Sequence, residues 1–213
     1  MKDRESVGCT SAREIRTASK FSAATLFEAS GIQCALPSPI KPLGPDRKVC
    51  GPAYTVLTSP GDNRKIHQAI YAAHPGDALV IATGGHWEAG YLGEILVSAA
   101  LERRLSGIVI DGCVRDGKEL LQLPLSVFCR GLCVRGTTKD KALAGGLGQT
   151  IRIHDVSIHP GDLIVGDADG VVVLPHEMVP EVLSKAQARV KGEREIIKRI
   201  HGNERTVDIF GVQ

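Results

Sequence analysis

The chain has few aromatic side chains and almost no net charge. Aromatic residues make up 4% of its 213 residues, and 26 basic against 24 acidic side chains leave a formal charge of +2. Nucleic-acid-binding proteins usually present a basic surface, and many stack bases on aromatic side chains. This composition therefore predicts that neither nucleic acid nor an anionic membrane surface is a partner.

Long apolar runs are also missing. No run approaches the roughly 20 residues that a membrane helix needs, and the charged residues 1–6 lead into no apolar core of the kind found in signal peptides. We therefore expect a cytoplasmic protein. An apolar content of 43% is enough for a substantial core. We predict a single domain over residues 1–213, with an N-terminal arm at 1–19 and a C-terminal helix and tail at 176–213.

Paired cysteine motifs are absent as well. The six cysteines are scattered along the chain, no Cys-x-x-Cys motif occurs, and the closest pair is Cys129 and Cys133. Disulfide frameworks and structural zinc sites usually show closely spaced cysteines. The sequence therefore predicts reduced thiols, most of them buried.

Helical and extended patterns follow one another without strict alternation. Helices are predicted over residues 22–30, 93–104 and much of the last 33 residues, with another after Pro60 that carries Ile66, Ile70 and Ala73 on one face. Strands are predicted near residues 51–57, 78–82, 107–110, 125–128, 132–134, 151–156, 163–165 and 171–174. This order disfavours a doubly wound sheet and favours an α/β sandwich of β-sheet with helices on its outside.

The C-terminal helix carries an apolar stripe that one acid interrupts. Glu193 occupies the position between Val190 and Ile197 where the spacing calls for an apolar residue. A buried carboxylate needs a cation or a metal nearby, because unpaired burial is costly. The alternative is that the stripe turns slightly and Glu193 reaches solvent at its edge.

The strongest candidate for a functional site lies in residues 107–119, where an apolar strand runs directly into charged residues. These are Asp111, Arg115, Asp116 and Glu119. The planar guanidinium of arginine suits a carboxylate or an enolate oxygen, and an aspartate offers hard oxygen ligands to Mg²⁺ or Mn²⁺. The pattern indicates chemistry on a 2-oxo acid. The alternative is a surface turn with a weak local ion pair.

Two further segments add to this candidate. Gly93 and Glu94 begin a helix, and the free amides and positive dipole end of a helix start favour an anion. Lys139 follows a run of small polar residues. Taken alone, Glu94 is typical of a first helical turn and Lys139 of a solvated loop.

These segments in their order resemble the family that contains 4-hydroxy-4-methyl-2-oxoglutarate aldolase and the regulator of ribonuclease activity A. The resemblance is carried by residues 22–26, 43–45, 51–56, 60–63, 75–77, 93–94, 110–116, 135–139, 160–162 and 165–173. It implies a swivelling β/β/α-type fold, homotrimers or homohexamers, and active sites between neighbouring subunits. It also implies a class II aldolase that uses Mg²⁺ or Mn²⁺, cleaves 4-hydroxy-2-oxo acids to pyruvate and decarboxylates oxaloacetate.

The resemblance also implies roles for individual residues. Asp116 would be the direct metal ligand and Arg115 would hold the pyruvate carboxylate and the enolate oxygen. Glu94 would contact the metal through water, and Glu193 would be supplied by the C-terminal helix of an adjacent subunit. Gly93 and the amides that follow it would bind the substrate carboxylate near a lysine; the residues in question are Ile95, Leu96 and Lys139.

Two other functions remain open at this level, and a third is not supported. Glu119, three residues after Asp116, favours the aldolase branch over a non-catalytic inhibitor of ribonuclease activity. A class I aldolase would instead use Lys139 as a Schiff base. The glycine pattern at 145–148 is too weak to support a methyltransferase cofactor site.

Overall fold

The computed structural model describes residues 9–212, in which twelve strands and seven helices are arranged as follows. The helices are α1 (Ala12–Ala18), α2 (Ala23–Ser30), α3 (Arg64–Ala72), α4 (Glu94–Glu102), α5 (Gly117–Gln122), α6 (Val179–His201) and α7 (Thr206–Phe210). The strands are β1 (Lys41–Pro42), β2 (Val49–Thr58), β3 (Ala78–Ala82), β4 (Gly107–Ile110), β5 (Cys113–Val114), β6 (Val127–Cys129), β7 (Gly131–Leu132), β8 (Gly145–Leu147), β9 (Ile151–Ile153), β10 (Val156–Ile158), β11 (Leu163–Asp167) and β12 (Gly170–Leu174).

Eight of these strands form one curled sheet. Its order is β1-β6-β4-β3-β2-β11-β12, with β8 paired to the far end of β2. The neighbouring pairs among β2, β3, β4 and β6 are parallel, whereas β1, β8, β11 and β12 are antiparallel to their neighbours. The two edges approach each other, since the Lys41 ammonium donates to the Asp169 carbonyl. The result is a mixed α/β fold with a nearly closed sheet and a long C-terminal helix.

Three apolar clusters hold the sheet and its helices together. Helices α3, α4 and α5 cover one face of the parallel strands. The opposite face encloses an interior that the β9–β10 hairpin closes. Helices α1, α2 and the first half of α6 cover the outer face of β11 and β12. Because successive side chains of a strand point to opposite faces, each central strand contributes to two of these clusters.

The same four-residue turn, His-Pro-Gly-Asp, starts two strands of the sheet. In the turns at 74–77 and 159–162 the buried carboxylate of Asp77 or Asp162 accepts the backbone N–H of the histidine, both at 2.8 Å. The glycine has a φ of 90° in the first turn and 92° in the second, a conformation that favours glycine. This device fixes where β3 and β11 begin.

The predicted fold class is confirmed, and several details of the prediction are wrong. The prediction that helices and strands do not alternate strictly is confirmed, since β5 follows β4 directly, but the short helix α5 was not predicted. The predicted strand at 151–156 is a hairpin of two strands that turns at His154, whose φ is 52°. The predicted strand at 132–134 ends at Leu132, and the glycine-rich segment at 145–148 contains β8.

Helix α6 is packed over only part of its length. Val179, Val182, Leu183 and Ala186 are buried, whereas Ile197 is 52% exposed. The exposed apolar positions continue into α7, where Phe210 is 60% exposed. None of the helices at residues 9–212 has the length and apolar character needed to cross a membrane.

Candidate active site

Asp116 is held in an uncommon backbone conformation at the start of α5. Its φ of 58° and ψ of 42° lie in the left-handed region, which costs a residue other than glycine about 1 kcal/mol or more. The turn directs the carboxylate to the beginning of α4, where Oδ2 accepts the backbone N–H of Glu94 at 3.1 Å. A carboxylate at this position also interacts favourably with the dipole of α4.

A glycine makes this close approach possible. A Cβ atom on Gly93 would lie 2.1 Å from Oδ2 of Asp116 and 3.0 Å from Cγ of Arg115. Gly90 is equally confined, because a Cβ atom there would lie 2.4 Å from the carbonyl oxygen of Cys133. Positions 90 and 93, which precede α4 and contact the Arg115–Asp116 turn, therefore both require glycine.

Arg115 is available to bind an anion. Its backbone N–H donates to the Leu92 carbonyl at 3.0 Å, which fixes the main chain. Its side chain is 48% exposed, and its Nε lies 3.8 Å from Oδ2 of Asp116, too far for a hydrogen bond. Among residues 9–212, most of the donor fork of the guanidinium thus has no acceptor beside the Asp116 carboxylate.

The predicted substrate-binding residues line one cavity of about 130 Å³. The cavity lies between the start of α4, the Arg115–Asp116 turn and the wall formed by α3. Its lining includes six residues singled out from the sequence, namely Gly93, Ile95, Leu96, Arg115, Asp116 and Lys139. The amides of Ile95 and Leu96 belong to the first turn of α4 and have no acceptor within that helix.

Lys139 reaches the cavity because Asp62 anchors its loop. The Asp62 carboxylate accepts the Asp140 N–H at 2.8 Å and the Thr138 hydroxyl at 3.0 Å. A third hydrogen bond at 2.9 Å comes from the backbone N–H of Arg64 at the start of α3. Burial acts to raise the pKa of Asp62, but these hydrogen bonds and the Arg64 charge together lower it below its usual value.

Five lining residues were not singled out from the sequence, and three of them carry polar side chains: Asn63, His67 and Tyr91. Asn63 and His67 are one helical turn apart and so share a face of α3. The Asn63 amide donates to the Tyr91 carbonyl at 2.9 Å. Burial, followed by the nearby Lys139 charge, lowers the pKa of His67, while Asp62 acts in the opposite direction. The signal available in the sequence was the Pro-Gly-Asp-Asn motif that opens this helix.

The other acids singled out from the sequence lie outside the cavity. Glu94 begins α4, but its side chain is exposed and does not line the cavity. Glu193 is 45% exposed and pairs with Arg189 one helical turn away at 2.8 Å. Within one chain it thus meets solvent at the edge of the apolar stripe. Glu119 lies in the first turn of α5, and Asp111 pairs with Arg130 at 2.6 Å.

The donor set at Asp116 fits a hard divalent cation that keeps most of its water. Asp116 is 40% exposed, and the only hydrogen bond that its Oδ2 accepts within residues 9–212 comes from the backbone N–H of Glu94. In the described part of the chain it belongs to no group of three closely spaced ligand side chains; the group that qualifies is Asp162, His176 and Glu177. Mg²⁺ is typically bound through one or two carboxylates with several waters retained, and this arrangement suits Asp116.

Fold and cavity together define an α/β protein with a cavity that is lined by Arg115, Lys139 and the start of a helix beside an accessible carboxylate. The model of the RraA-like family, described as Aldolase/RraA, matches residues 18–173. The chain belongs to this family. A relative from Halalkalibacterium halodurans, named "Putative 4-hydroxy-4-methyl-2-oxoglutarate aldolase", is 39% identical over 154 residues, which cover 72% of each chain.

Solved structures show the same fold. An uncharacterized protein from Pseudomonas syringae superposes with a TM-score of 0.82 at 27% identity, covering 92% of this chain and 96% of that one. RraAS2 of Streptomyces coelicolor, described as an unusual member of the RNase ES inhibitor RraA protein family, has a TM-score of 0.77 at 27% identity. That match covers 87% of this chain and 96% of RraAS2.

Proposed function

We propose that this protein is a divalent-metal-dependent, class II aldolase. It cleaves 4-hydroxy-2-oxo acids, such as 4-hydroxy-4-methyl-2-oxoglutarate, to pyruvate and a second carbonyl compound, and it also decarboxylates oxaloacetate. The observation that carries the proposal is the convergence of Arg115, Asp116 and the first turn of α4 on one cavity. The aldolase name of the Halalkalibacterium relative supports the same reading.

Substrate binding follows from the donors around the cavity. The Arg115 guanidinium and the first-turn amides of Ile95 and Leu96 provide hydrogen bonds for the carboxylate and the 2-oxo oxygen of a pyruvate unit. Lys139 adds a positive charge to the lining of the cavity. A 2-oxo acid therefore has its anionic end oriented before any bond is broken, which lowers the entropic part of the barrier.

The cleavage step places negative charge where these donors lie. The C4 hydroxyl loses its proton, the C3–C4 bond breaks, and its electron pair passes into the enolate of pyruvate. Arg115 stabilises the charge on the enolate oxygen. Mg²⁺ or Mn²⁺ held by Asp116 would supply further positive charge at that oxygen. The hydroxyl proton passes through water towards two carboxylates, that of Glu94 outside the cavity and that of Glu193 in a neighbouring copy, and a proton returned to C3 yields pyruvate.

The participation of a neighbouring copy is part of the proposal. The outer half of α6 and helix α7 expose Ile197, Ile200 and Phe210, which one chain leaves uncovered. Packing of this surface against another copy in a homotrimer or homohexamer would bury these side chains and carry Glu193 towards a second cavity. The apolar area supplies a driving force for such assembly.

A pyruvate-release assay tests the proposed function directly. The purified protein is supplied with 4-hydroxy-2-oxo acids or oxaloacetate, in Mg²⁺, in Mn²⁺ or in excess chelator. We expect activity with either metal, none in chelator, and a loss of at least about 100-fold in Arg115→Ala, since an oxyanion contact contributes about that much. Arg103→Ala, an exposed arginine at the end of α4, is the matched control. Full activity in chelator contradicts the metal role.

Two rival functions give different results. A class I aldolase would form a Schiff base on Lys139, which borohydride traps in the presence of pyruvate; we expect no trapped adduct. A ribonuclease inhibitor, the function suggested by the description of RraAS2, would lower the activity of a ribonuclease without releasing pyruvate. Inhibition that survives in Arg115→Ala, together with no pyruvate release, would favour that rival.

A further inference from the structure

One buried acceptor on a residue that lines the cavity has no donor among the residues that the structure describes. Asn63 is 6% exposed and lines the same cavity as Arg115 and Asp116. Its Oδ1 atom receives no hydrogen bond from any group in residues 9–212. Buried side-chain oxygens nearly always have a partner, because leaving one unsatisfied is costly. An unpartnered oxygen on a residue that lines a candidate active site therefore points to a ligand.

The orientation of the Asn63 amide is fixed by its other end. Nδ2 donates to the Tyr91 carbonyl at 2.9 Å. A carbonyl oxygen only accepts hydrogen bonds, so exchanging the two amide atoms would set two acceptors against each other. Oδ1 is therefore the atom left for another partner, and that partner has to be a donor.

The chemistry of Oδ1 differs from that of the rest of the cavity. Arg115, Lys139 and the first-turn amides of α4 are donors or cations, which suit the anionic end of a 2-oxo acid. Asn63 offers an uncharged acceptor on the wall formed by α3. An acceptor oxygen repels a carboxylate and attracts an alcohol, whose O–H can donate.

We infer that Asn63 Oδ1 accepts a hydrogen bond from an alcoholic hydroxyl on the part of the substrate that departs from the pyruvate unit. This inference rests on the proposed aldol cleavage and adds to it the residue that recognises the hydroxyl of the substrate, at C4 or beyond. An amide oxygen is too weakly basic to take up the proton. Asn63 is therefore a binding residue and leaves the deprotonation to other groups.

The test compares substrates that have the hydroxyl with one that lacks it. Asn63→Ala and the nearly isosteric Asn63→Leu are assayed with a 4-hydroxy-2-oxo acid, a 4,5-dihydroxy-2-oxo acid and oxaloacetate. Oxaloacetate passes through the same pyruvate enolate without a hydroxyl donor. We expect kcat/KM for at least one hydroxylated substrate to fall about tenfold or more in both variants, chiefly through KM, while decarboxylation changes by less than about threefold.

The pattern of loss identifies the donor. A loss with both hydroxylated substrates assigns the C4 hydroxyl, and a loss confined to the dihydroxy acid assigns the outer one. Ser106→Ala removes another buried oxygen without a partner, outside the cavity, and is expected to leave all three activities unchanged. The Ser106→Ala variant therefore controls for the general effect of removing a buried, unpartnered oxygen.

Two results overturn the inference. An equal loss with all three substrates makes Asn63 a structural residue, and no loss with any of them means that its oxygen does not meet the substrate. The unchanged oxaloacetate activity also reports that the variants fold. If the wild-type protein releases no pyruvate from any of the three substrates in Mg²⁺, the proposed function itself fails, and that outcome is distinct from both.

Discussion

The carboxylate of Asp116 caps helix α4 by accepting the backbone N–H of Glu94 at 3.1 Å. The residue proposed to bind the metal therefore also stabilises a helix that belongs to the same site. It does so from a left-handed backbone conformation, so its contribution to stability has a favourable and an unfavourable part.

Substitution of Asp116 separates these two parts. Asp116→Ala loses the cap and keeps the unfavourable conformation, whereas Asp116→Gly loses the cap and relieves the conformation. We expect the glycine variant to be more stable than the alanine variant by about 1 kcal/mol, with both inactive. Urea unfolding at neutral pH measures the difference. Equal stability of the two variants would mean that the left-handed conformation is not retained.

Gly93→Ala should damage the site without a change in charge. Its Cβ atom would lie 2.1 Å from Asp116 Oδ2, so the Arg115–Asp116 turn has to move. We expect a loss of about 100-fold or more in pyruvate release, because small displacements of catalytic groups cost that much. Gly192→Ala is the matched control, since a Cβ atom there meets nothing within 4 Å; it should keep full activity. Normal activity in Gly93→Ala would contradict the close approach.

Asp62→Ala should release the loop that carries Lys139. It removes the acceptor of the hydrogen bonds from Thr138 and Asp140, each worth about 1–3 kcal/mol when the acceptor is charged. We expect faster amide hydrogen exchange at residues 138–140 and a higher KM. Asp155→Ala, an exposed acid in the β9–β10 turn, is the control. Unchanged exchange at 138–140 would show that the loop is held by other contacts.

His67 should titrate below the usual value for histidine. Burial and the Lys139 charge lower its pKa, so the folded protein binds fewer protons here than the unfolded chain does. The stability from this group is present above the unfolded pKa of about 6.5 and declines as the pH falls through it. An NMR titration of the His67 ring should show a low midpoint, which Lys139→Gln should raise. A midpoint insensitive to Lys139 would place the two groups farther apart.

Sharing of the active site between copies has its own test. Asp116→Asn and Glu193→Gln should each be inactive as pure proteins. If Glu193 serves the cavity of a neighbouring copy, co-expression of the two variants creates some cavities with both native residues, and activity returns. Mixing Asp116→Asn with Arg115→Ala is the control, because these residues belong to the same cavity and no complete cavity forms. Full activity of Glu193→Gln alone would remove Glu193 from the proposal.

The sequence predicted those helices and strands whose apolar residues recur at a regular spacing. The helix ending at Gly31 and the strands β3 and β4 were found because their apolar spacing and flanking glycine or proline are local signals. Helix α5 was missed because six residues are too few for a period to stand out. The turn at His154 was missed because a left-handed residue other than glycine carries no compositional signal.

Charge in the sequence pointed to part of the site, and the family resemblance supplied its uncharged residues. Arg115, Asp116 and Lys139 stood out as charges beside small residues, and the structure gathers them at one cavity. Asn63 did not stand out, because the property that singles it out is the missing hydrogen-bond partner of its Oδ1 atom. Whether a buried atom lacks a hydrogen-bond partner depends on all of its neighbours in space. The spacing of residues along the sequence does not show this.

The hydrogen bond between Asp62 and Thr138 joins residues that are 76 positions apart. During synthesis, the strands and helices from β2 to β6 have left the ribosome before the segment that carries Lys139 emerges. Because contacts of long sequence separation form late, we expect the parallel half of the sheet to be assembled first, with one wall of the cavity still absent. Binding competence should thus be a late event in folding, later than the compaction of the chain.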